Sequence, residues 1–530
     1  MLKGTNPILT GFHPDPAIIR VENDYYLATS TFQWFPGVEL YHSKDLINWE
    51  VLPSPLNRVS QLDMIGNPNS GGVWGPCLSY CKGTFYLIYT NTKNFHGIFK
   101  DTHNYLVTTN DIYSGNWSEP VYLNSSGFDP SMFHDDDGKK YLLNMRWDSR
   151  MENHSFSGIL IQEYSEKEKK LVGEITNIFR GTEVGATEAP HIYKKDGYYY
   201  LMVAEGGTMY NHGVRLARSK NILGPYEADP KPLLTVRDNR DYYLQRTGHA
   251  SLVDTVNGDW YVAFLCGRPI GEKKRCILGR ETCISQVVWE DGWLRLKDAD
   301  MAPPVEYYVN LPEYKFDKKG NTTYFNCDKL PYEFKTLRIP FNNEIGSLSD
   351  NKDSLRLYGR ESTTSWNKQA LVGRRLQHFN TQTTIKMEFS PKNFQQAAGL
   401  NVIYDTYNYF YLYMTWDESG DNVLRIIVRN NKKFYNPLMR GISIGKNNTV
   451  WLRAKIHMLK LQFMYSLDGE TYSNIGDELD CSNLSDEAYA EMDHEGHTGT
   501  FVAMACQDIS CGESDKRCFA DFYSFTYEEI

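Results

Sequence analysis

Residues 188–203 read EAPHIYKKDGYYYLMV, and four more segments of the chain share this plan. Each opens on a polar or proline residue, enters an apolar strand, turns on Asn, Asp or Gly and returns through an aromatic strand. Their first residues lie 61, 53, 59 and 61 positions apart. A repeat of this length predicts a five-bladed β-propeller. The other copies are DPAIIRVENDYYLAT at 15–29, PCLSYCKGTFYLIYT at 76–90, DPSMFHDDDGKKYLLN at 129–144 and HASLVDTVNGDWYVAF at 249–264.

The first residues of the five copies are Asp15, Pro76, Asp129, Glu188 and His249. Because the inner strand of each propeller blade lines the central channel, equivalent positions of different blades face one another. Any one of these acids alone is more often a turn or capping residue than a catalyst. Three carboxyls at one channel mouth instead indicate a reactive site, since converging carboxylates repel one another. We therefore predict an acidic centre formed by Asp15, Asp129 and Glu188.

The pattern changes near residue 300. Residues 301–323, MAPPVEYYVNLPEYKFDKKGNTT, carry prolines and then charged residues, which is typical of a connection between domains. Alternating strands follow, such as VWLRAKIHMLKLQFMYSLDG at 450–469. The sequence thus predicts an all-β chain with a propeller at 1–315 and a β-sandwich at 325–530. This sandwich would either bind carbohydrate separately or help to close the propeller's pocket.

Charge and composition exclude several classes of protein. The net charge is −10 and no basic run is present, so we expect no nucleic-acid partner. The first residues lack a signal peptide's apolar core, and no apolar stretch reaches transmembrane length. The ten cysteines show no C-x-x-C spacing, which favours buried thiols over a zinc site. We expect a cytoplasmic protein with no membrane partner.

Motifs along nearly the whole chain resemble those of glycoside hydrolase family 43, in its two-domain β-xylosidase branch. That branch carries a C-terminal sandwich of the concanavalin A-like type, which FVAMACQD at 501–508 and ADFYSFTY at 520–527 resemble. The motifs of the propeller part are NPILTGFHPDPAIIR at 6–20, GGVWGP at 71–76, GFDPSMF at 127–133, ATEAPHIY at 186–193, AEGGT at 204–208, GHASLV at 248–253 and LGRET at 278–282.

The resemblance implies an inverting glycosidase. By it, Asp15 is the general base, Glu188 the general acid, and Asp129 the group that orients the acid and raises its pKa. Inversion needs a water molecule between base and sugar, with the two carboxyls about 6.5–9.5 Å apart. Opposed propeller blades are expected to supply that separation.

The resemblance also implies contacts to the sugar. Arg280 matches an arginine that hydrogen-bonds sugar hydroxyls and pairs with an acid, while Phe32 and Trp74 match aromatic walls of the glycone subsite. Phe501 matches a residue that the sandwich inserts to narrow the pocket, which implies an exo-acting enzyme.

His249 is open to two interpretations. The resemblance places a histidine beneath the active site, where it holds water or a calcium ion; the alternative is a neutral histidine hydrogen-bonded in the core. One histidine does not make a metal site, and residues 135–138 (DDDG) fit a hairpin turn better than a calcium loop. We therefore expect no metal-ligand set and no required cofactor, because acid–base hydrolysis needs only water.

The leading hypothesis is removal of xylose from the non-reducing ends of β-1,4-xylo-oligosaccharides, which are small substrates. We also expect the protein to form a homo-oligomer. α-L-Arabinofuranosidase activity, alone or as a second activity, is the nearest alternative, because both sugars present similar hydroxyl arrangements. A fructosidase is disfavoured because the N-D-P-N-G, R-D-P and E-C motifs are missing. A non-catalytic sugar-binding propeller would retain three acids without using them.

Overall fold

The computed structural model describes residues 1–317, 319–491, 496–510 and 517–530. These residues form two compact units. The first contains Met1–Leu62, Gly71–Arg268 and Arg280–Phe316; the second contains Asp63–Ser70, Pro269–Gly279 and Asp317–Ile530. Two short segments from within the range predicted for the propeller, 63–70 and 269–279, therefore pack with the second unit, which a single linear boundary did not anticipate.

Five antiparallel sheets form the blades of the first unit. Four are simple up-and-down meanders, and in the fourth blade two short strands pair with the third strand. Their strands are β2 (Ala17–Val21), β3 (Asp24–Thr29), β5 (Glu39–Ser43) and β6 (Glu50–Leu52) in blade one; β7 (Gly72–Cys81), β8 (Thr84–Asn94), β9 (Asp101–Thr109) and β10 (Val121–Asn124) in blade two; β11 (Ser131–His134), β12 (Lys140–Trp147), β13 (Phe156–Ser165) and β14 (Lys170–Phe179) in blade three; β15 (Glu188–Lys195), β16 (Tyr198–Glu205), β17 (Gly213–Ser219), β18 (Glu227–Ala228) and β19 (Leu234–Thr235) in blade four; and β20 (Gln245–Asp254), β21 (Trp260–Gly267), β22 (Glu281–Glu290) and β23 (Trp293–Leu296) in blade five.

The first strands of the five blades contact one another in a closed ring, in the order β2, β7, β11, β15, β20 and back to β2. This ring confirms the predicted five-bladed propeller. The N-terminal segment ties its ends together, because β1 (Leu2–Thr5) pairs with β24 (Glu306–Val309). Leu9 also bridges to Thr282 in blade five. A further short strand, β4 (Trp34–Phe35), lies in the loop between β3 and β5.

The second unit contains two antiparallel sheets. One runs in the order β27, β28, β40, β30, β36, β37, β38 with β25 beside β40; the other runs β34, β33, β32, β31, β39, β29, β26 with β35 beside β33. The bounds are β25 Thr322–Tyr324, β26 Lys335–Leu337, β27 Gly346–Ser347, β28 Leu355–Tyr358, β29 Ala370–Arg375, β30 Asn380–Phe389, β31 Gln396–Asp405, β32 Asn408–Trp416, β33 Asn422–Asn430, β34 Lys433–Tyr435, β35 Ile442–Ser443, β36 Thr449–His457, β37 Lys460–Ser466, β38 Ser473–Asp480, β39 Phe501–Asp508 and β40 Phe519–Glu529, with helix α1 at Asp486–Ala490.

Period-two alternation explains why these strands form a sandwich. In β36 the residues Val450, Leu452, Ala454 and Ile456 are buried in the core, while the residues between them are partly or fully exposed. Alternate residues of β31, among them Leu400, enter the same core from the other sheet. The predicted sandwich is thereby confirmed.

Two further sequence expectations concern the chain as a whole. Nine cysteines are described and all are free thiols, six of them buried; the tenth, Cys511, lies outside the described residues. Within the described ranges, no helix combines the length and apolar character needed to cross a membrane.

Candidate active site

Five residues in the left-handed region of backbone conformation mark the same point in every blade. They are Asp15, Gly75, Asp129, Ala189 and His249, with φ between 42° and 58°. In blades two, four and five the strand register slips at this point, so that an extra residue forms a β-bulge. A bulge re-aims the side chains beside it, and in these three blades it does so near the start of the inner strand.

The positive φ values correct the predicted repeat alignment. Asp15, Asp129 and His249 do share one position, but Glu188 and Pro76 lie one residue away from it, next to Ala189 and Gly75. The equivalent positions are therefore 60, 54, 60 and 60 residues apart. The acid of blade four thus comes from the residue before the bulge, where blade two has Trp74. The error arose because the apolar pattern fixes strand faces but not the residue at which a bulge begins.

Asp15 is buried and held from two sides. Ser30 Oγ donates a hydrogen bond to Asp15 Oδ2 over 2.6 Å, and Arg280 Nη1 donates to Asp15 Oδ1 over 3.0 Å. The Gly75 N–H in turn donates to Ser30 Oγ over 2.9 Å. Arg280 therefore pairs with an acid as predicted, whereas Ser30 was not predicted. The left-handed residue of blade two supports the acid of blade one through this serine.

Asp129 is buried between two neighbouring blades. The Ala189 N–H donates to Asp129 Oδ2 over 3.2 Å, which links the carboxyl to the residue next to Glu188. On the other side, a Cβ on Gly75 would lie only 2.3 Å from Asp129 Oδ1. Only glycine leaves room for the carboxyl there. The signal for Gly75 was present in the GGVWGP motif, but sequence reasoning placed the repeat start on Pro76.

The pKa of Asp129 is raised well above its ordinary value. Burial is the largest cause, followed by the negative charges of Glu188 and then Asp15. Because repulsion between Asp129 and Glu188 is mutual, the two carboxyls titrate as a coupled pair. Such a pair retains a proton at a pH where two isolated carboxyls would both be ionised.

We expect Asp129→Asn to stabilise the protein at neutral pH while it abolishes activity. A folded-state pKa above the unfolded value means that the native state binds the proton more tightly, so stability falls as pH rises above about 4. The amide has no charge to bury and avoids that loss. Its melting temperature should exceed that of the wild type by about 2–5 °C at pH 7, with a smaller difference near pH 4.

Asp135→Asn is the matched control for this experiment. Burial raises the pKa of Asp135, but hydrogen bonds from Lys194 and Tyr199 outweigh it and hold the pKa below its ordinary value. Stability from Asp135 is present above its unfolded pKa and is lost as pH falls, so Asp135→Asn should destabilise at pH 7. Melting curves of both variants at pH 4 and pH 7 by circular dichroism provide the measurement. If the melting temperatures of both variants shifted in the same direction at pH 7, this account of Asp129 would be wrong.

His249 lies between two of the acids. Its Nδ1 atom is 3.6 Å from Asp15 Oδ1 and 4.0 Å from Asp129 Oδ2. Burial lowers the pKa of His249; the charge of Asp15 opposes this effect and that of Arg280 adds to it. A neutral ring at neutral pH is the consequence.

Calcium favours six to eight oxygen ligands, whereas His249 offers nitrogen. Within the described ranges, no group of three or more His, Cys, Asp or Glu residues is arranged to hold a metal ion. Calcium near His249 and the absence of a required cofactor both stay predictions.

Aromatic rings form a connected group beside the acids. The ring centroids of Phe32 and Trp74 are 6.0 Å apart, and the Arg280 guanidinium lies 5.2 Å from the Phe32 centroid. Trp74 also contacts Phe95 and Phe128, at 5.1 and 5.4 Å. The structure thus places both predicted aromatics near the Asp15–Arg280 pair. Phe95 carried no distinguishing motif, and Phe128 was present in the GFDPSMF motif but was not predicted as a site residue.

Phe501 belongs to the second unit. It opens β39, is fully buried, and lies 5.4 Å from the Arg375 guanidinium. Its predicted role in narrowing the sugar pocket stays a prediction.

Both parts of the chain are similar to known protein families. Residues 4–294 match the family model described as glycosyl hydrolases family 43, and residues 322–528 match the β-xylosidase C-terminal concanavalin A-like domain. A β-xylosidase of Bacillus subtilis (strain 168) is 48% identical, with all of both chains covered. Xylosidase/arabinosidase 43B of Humicola insolens is 46% identical over 99% of this chain and 97% of its own length.

A solved structure gives the same result in three dimensions. The crystal structure of a xylan β-1,4-xylosidase from Bacillus halodurans C-125 superposes with a TM-score of 0.96. It shares 50% sequence identity and covers 99% of this chain and 100% of its own. Family models for both parts of the chain and full-length relatives therefore agree: this chain belongs to glycosyl hydrolase family 43.

Proposed function

We propose that this protein is an exo-acting, inverting β-xylosidase that releases xylose from the non-reducing ends of β-1,4-xylo-oligosaccharides. The observation that carries this proposal is the buried group of Asp15, Asp129 and Glu188 at the starts of three inner strands. Relatives named as β-xylosidases over the full length of the chain support the choice of sugar.

In the proposed reaction Asp15 is the general base and Glu188 the general acid. The Asp15 carboxylate takes a proton from water as the water oxygen attacks the anomeric carbon of the sugar. The bond from that carbon to the glycosidic oxygen breaks, and the oxygen takes the proton of Glu188. Exchange with solvent then returns both carboxyls to their starting forms.

The surrounding residues fit these roles. Arg280 and Ser30 both donate to Asp15, which fixes the direction of a carboxylate that must stay anionic until water attacks. Asp129 accepts from the backbone next to Glu188, so it positions the acid. Its coupling to Glu188 keeps one proton on the pair, which a general acid needs near neutral pH.

Proton NMR during hydrolysis of 4-nitrophenyl β-xyloside, whose leaving group contributes no second xylose, tests the stereochemistry. Inversion of a β-linkage should release α-xylose first, with β-xylose appearing only as the product mutarotates. Retention would be seen as early β-xylose, and it would contradict the assigned roles. Conversion of longer substrates one xylose at a time would support exo-action, whereas internal cleavage would exclude it.

Comparing the hydrolysis of 4-nitrophenyl β-xyloside with that of 4-nitrophenyl α-L-arabinofuranoside tests which sugar the enzyme prefers. We expect a larger kcat/KM for the xyloside. The name of the Humicola relative, xylosidase/arabinosidase, keeps arabinofuranosidase activity as the second candidate. A strong preference for the arabinoside would make that candidate the main function. Cytoplasmic location and homo-oligomeric assembly, both expected from the sequence, remain proposals.

A further inference from the structure

A polar cavity of about 620 Å³ lies in the first unit, next to the proposed acid. Its lining comes from the end of β12, the start of β13 and the loop between them, and from the loop between β14 and β15, including Thr187, the neighbour of Glu188. In an up-and-down blade successive strands run in opposite directions. The second strand therefore ends on the face of the propeller where the first strand begins. The third strand begins on that face, and the fourth strand ends on it. The cavity therefore opens on the same face of the propeller as Asp129 and Glu188.

Three arginines line this cavity: Arg146, Arg150 and Arg180. One of them is already neutralised, because Arg150 donates to both carboxylate oxygens of Asp148, at 2.9 and 2.5 Å. Asn153 and the Arg150 backbone also donate to Asp148, which fills the acceptor sites of that carboxylate.

Two arginines retain donor capacity. The Arg146 guanidinium forms only a long ion pair with Asp148, at 3.9 Å, which is beyond hydrogen-bond distance and leaves its N–H donors unused. The exposed Arg180 makes no hydrogen bond or ion pair with the residues that the structure describes. The remaining anion of the lining, Glu183, is exposed on the surface of the loop. The cavity thus presents two available guanidinium groups, which favour planar carboxylates as ligands.

We propose that this cavity binds a carboxylate carried by the leaving-group side of the substrate, so that the enzyme favours acidic xylo-oligosaccharides over neutral ones. The inference rests on the proposed function, because only a sugar held at Glu188 places its leaving group beside Thr187. The carboxylate has two chemical sources, a uronic-acid branch or an oxidised reducing end. Thr182, Ser157 and Asn153 add neutral oxygen acceptors for the hydroxyls of that unit, while a side-chain donor of each already bonds within the protein.

The test uses three pairs of probes with the full-length protein at low ionic strength. Xylobionate and xylobiitol are both open-chain at the leaving end and differ in the carboxylate, while a uronosyl-branched xylo-oligosaccharide is compared with its unbranched form. We expect kcat/KM to be about three- to tenfold higher for at least one acidic member, an advantage that salt should reduce. The pair that shows it identifies the source. The third pair, 4-carboxyphenyl and 4-carbamoylphenyl xyloside, tests the charge without a second sugar.

The variants Arg146→Gln and Arg180→Gln should bring the acidic-to-neutral ratio of kcat/KM towards one. Lys170→Gln is the control, because it removes one charge from the opposite end of β14, where Lys170 pairs with Glu168 on the surface. Equal rates for all three pairs in the wild type would overturn the proposal, as would a ratio that neither arginine variant changes. Hydrolysis of 4-nitrophenyl xyloside reports separately on the proposed function, so loss of that activity is distinguishable from loss of the carboxylate preference.

Discussion

Glu188→Gln should lower kcat for xylobiose by about 10³-fold while it lowers hydrolysis of 2,4-dinitrophenyl β-xyloside far less. The glutamine has the shape of the acid but no proton to give, and general acid–base catalysis contributes about 10²–10⁴-fold. A dinitrophenolate leaves without protonation, so its departure does not depend on Glu188. Steady-state rates on the two substrates give the comparison directly.

Asp15→Asn is the matched variant for this experiment. A base activates the attacking water whatever the leaving group, so this change should lower both rates by similar, large factors. The two patterns together separate acid from base. If Glu188→Gln affected both substrates equally and Asp15→Asn spared the dinitrophenyl xyloside, the roles would have to be exchanged. Circular dichroism of each variant establishes that the fold is retained.

Gly75→Ala should lower kcat/KM by about 10²-fold, although Gly75 contributes no side chain. The added Cβ would lie 2.3 Å from Asp129 Oδ1 and 3.1 Å from the Asp129 Cα, so either the carboxyl or the strand must move. A displacement of about 1 Å at a reacting centre costs on the order of 10²-fold. The same substitution also strains a left-handed backbone position, at about 1–2 kcal/mol.

Gly83→Ala is the control for the strain that an alanine causes at a left-handed backbone position. Gly83 lies in the turn after β7, also has positive φ, and its added Cβ would meet no atom within 4 Å. We expect this variant to lose some stability but to keep its activity. Thermal melts and kcat/KM of both variants are the measurements. Equal loss of activity in the two would show that strain, not contact with Asp129, is responsible.

Much of the fold could be predicted because its signals are local. Alternation in segments such as 450–469 depends only on neighbouring residues, and it sets which face of a strand is buried. Turn residues at regular intervals gave the number of blades. Phe95, Phe128 and Ser30 could not be singled out, because their importance comes from contacts with residues 21, 54 and 15 positions away, at Trp74 and Asp15.

The sequence by itself determined that five similar units bring acids from distant segments to one channel. Only the tertiary structure decided which residue of each unit occupies the left-handed position near the start of the inner strand. There Asp15, Asp129 and His249 are equivalent, while Glu188 precedes Ala189. The signal was the proline that follows this position in four units, at 16, 76, 130 and 190. Apolar periodicity could not reveal it, since a bulge is a local change of φ and strand register that alters side-chain direction without altering the hydrophobic pattern.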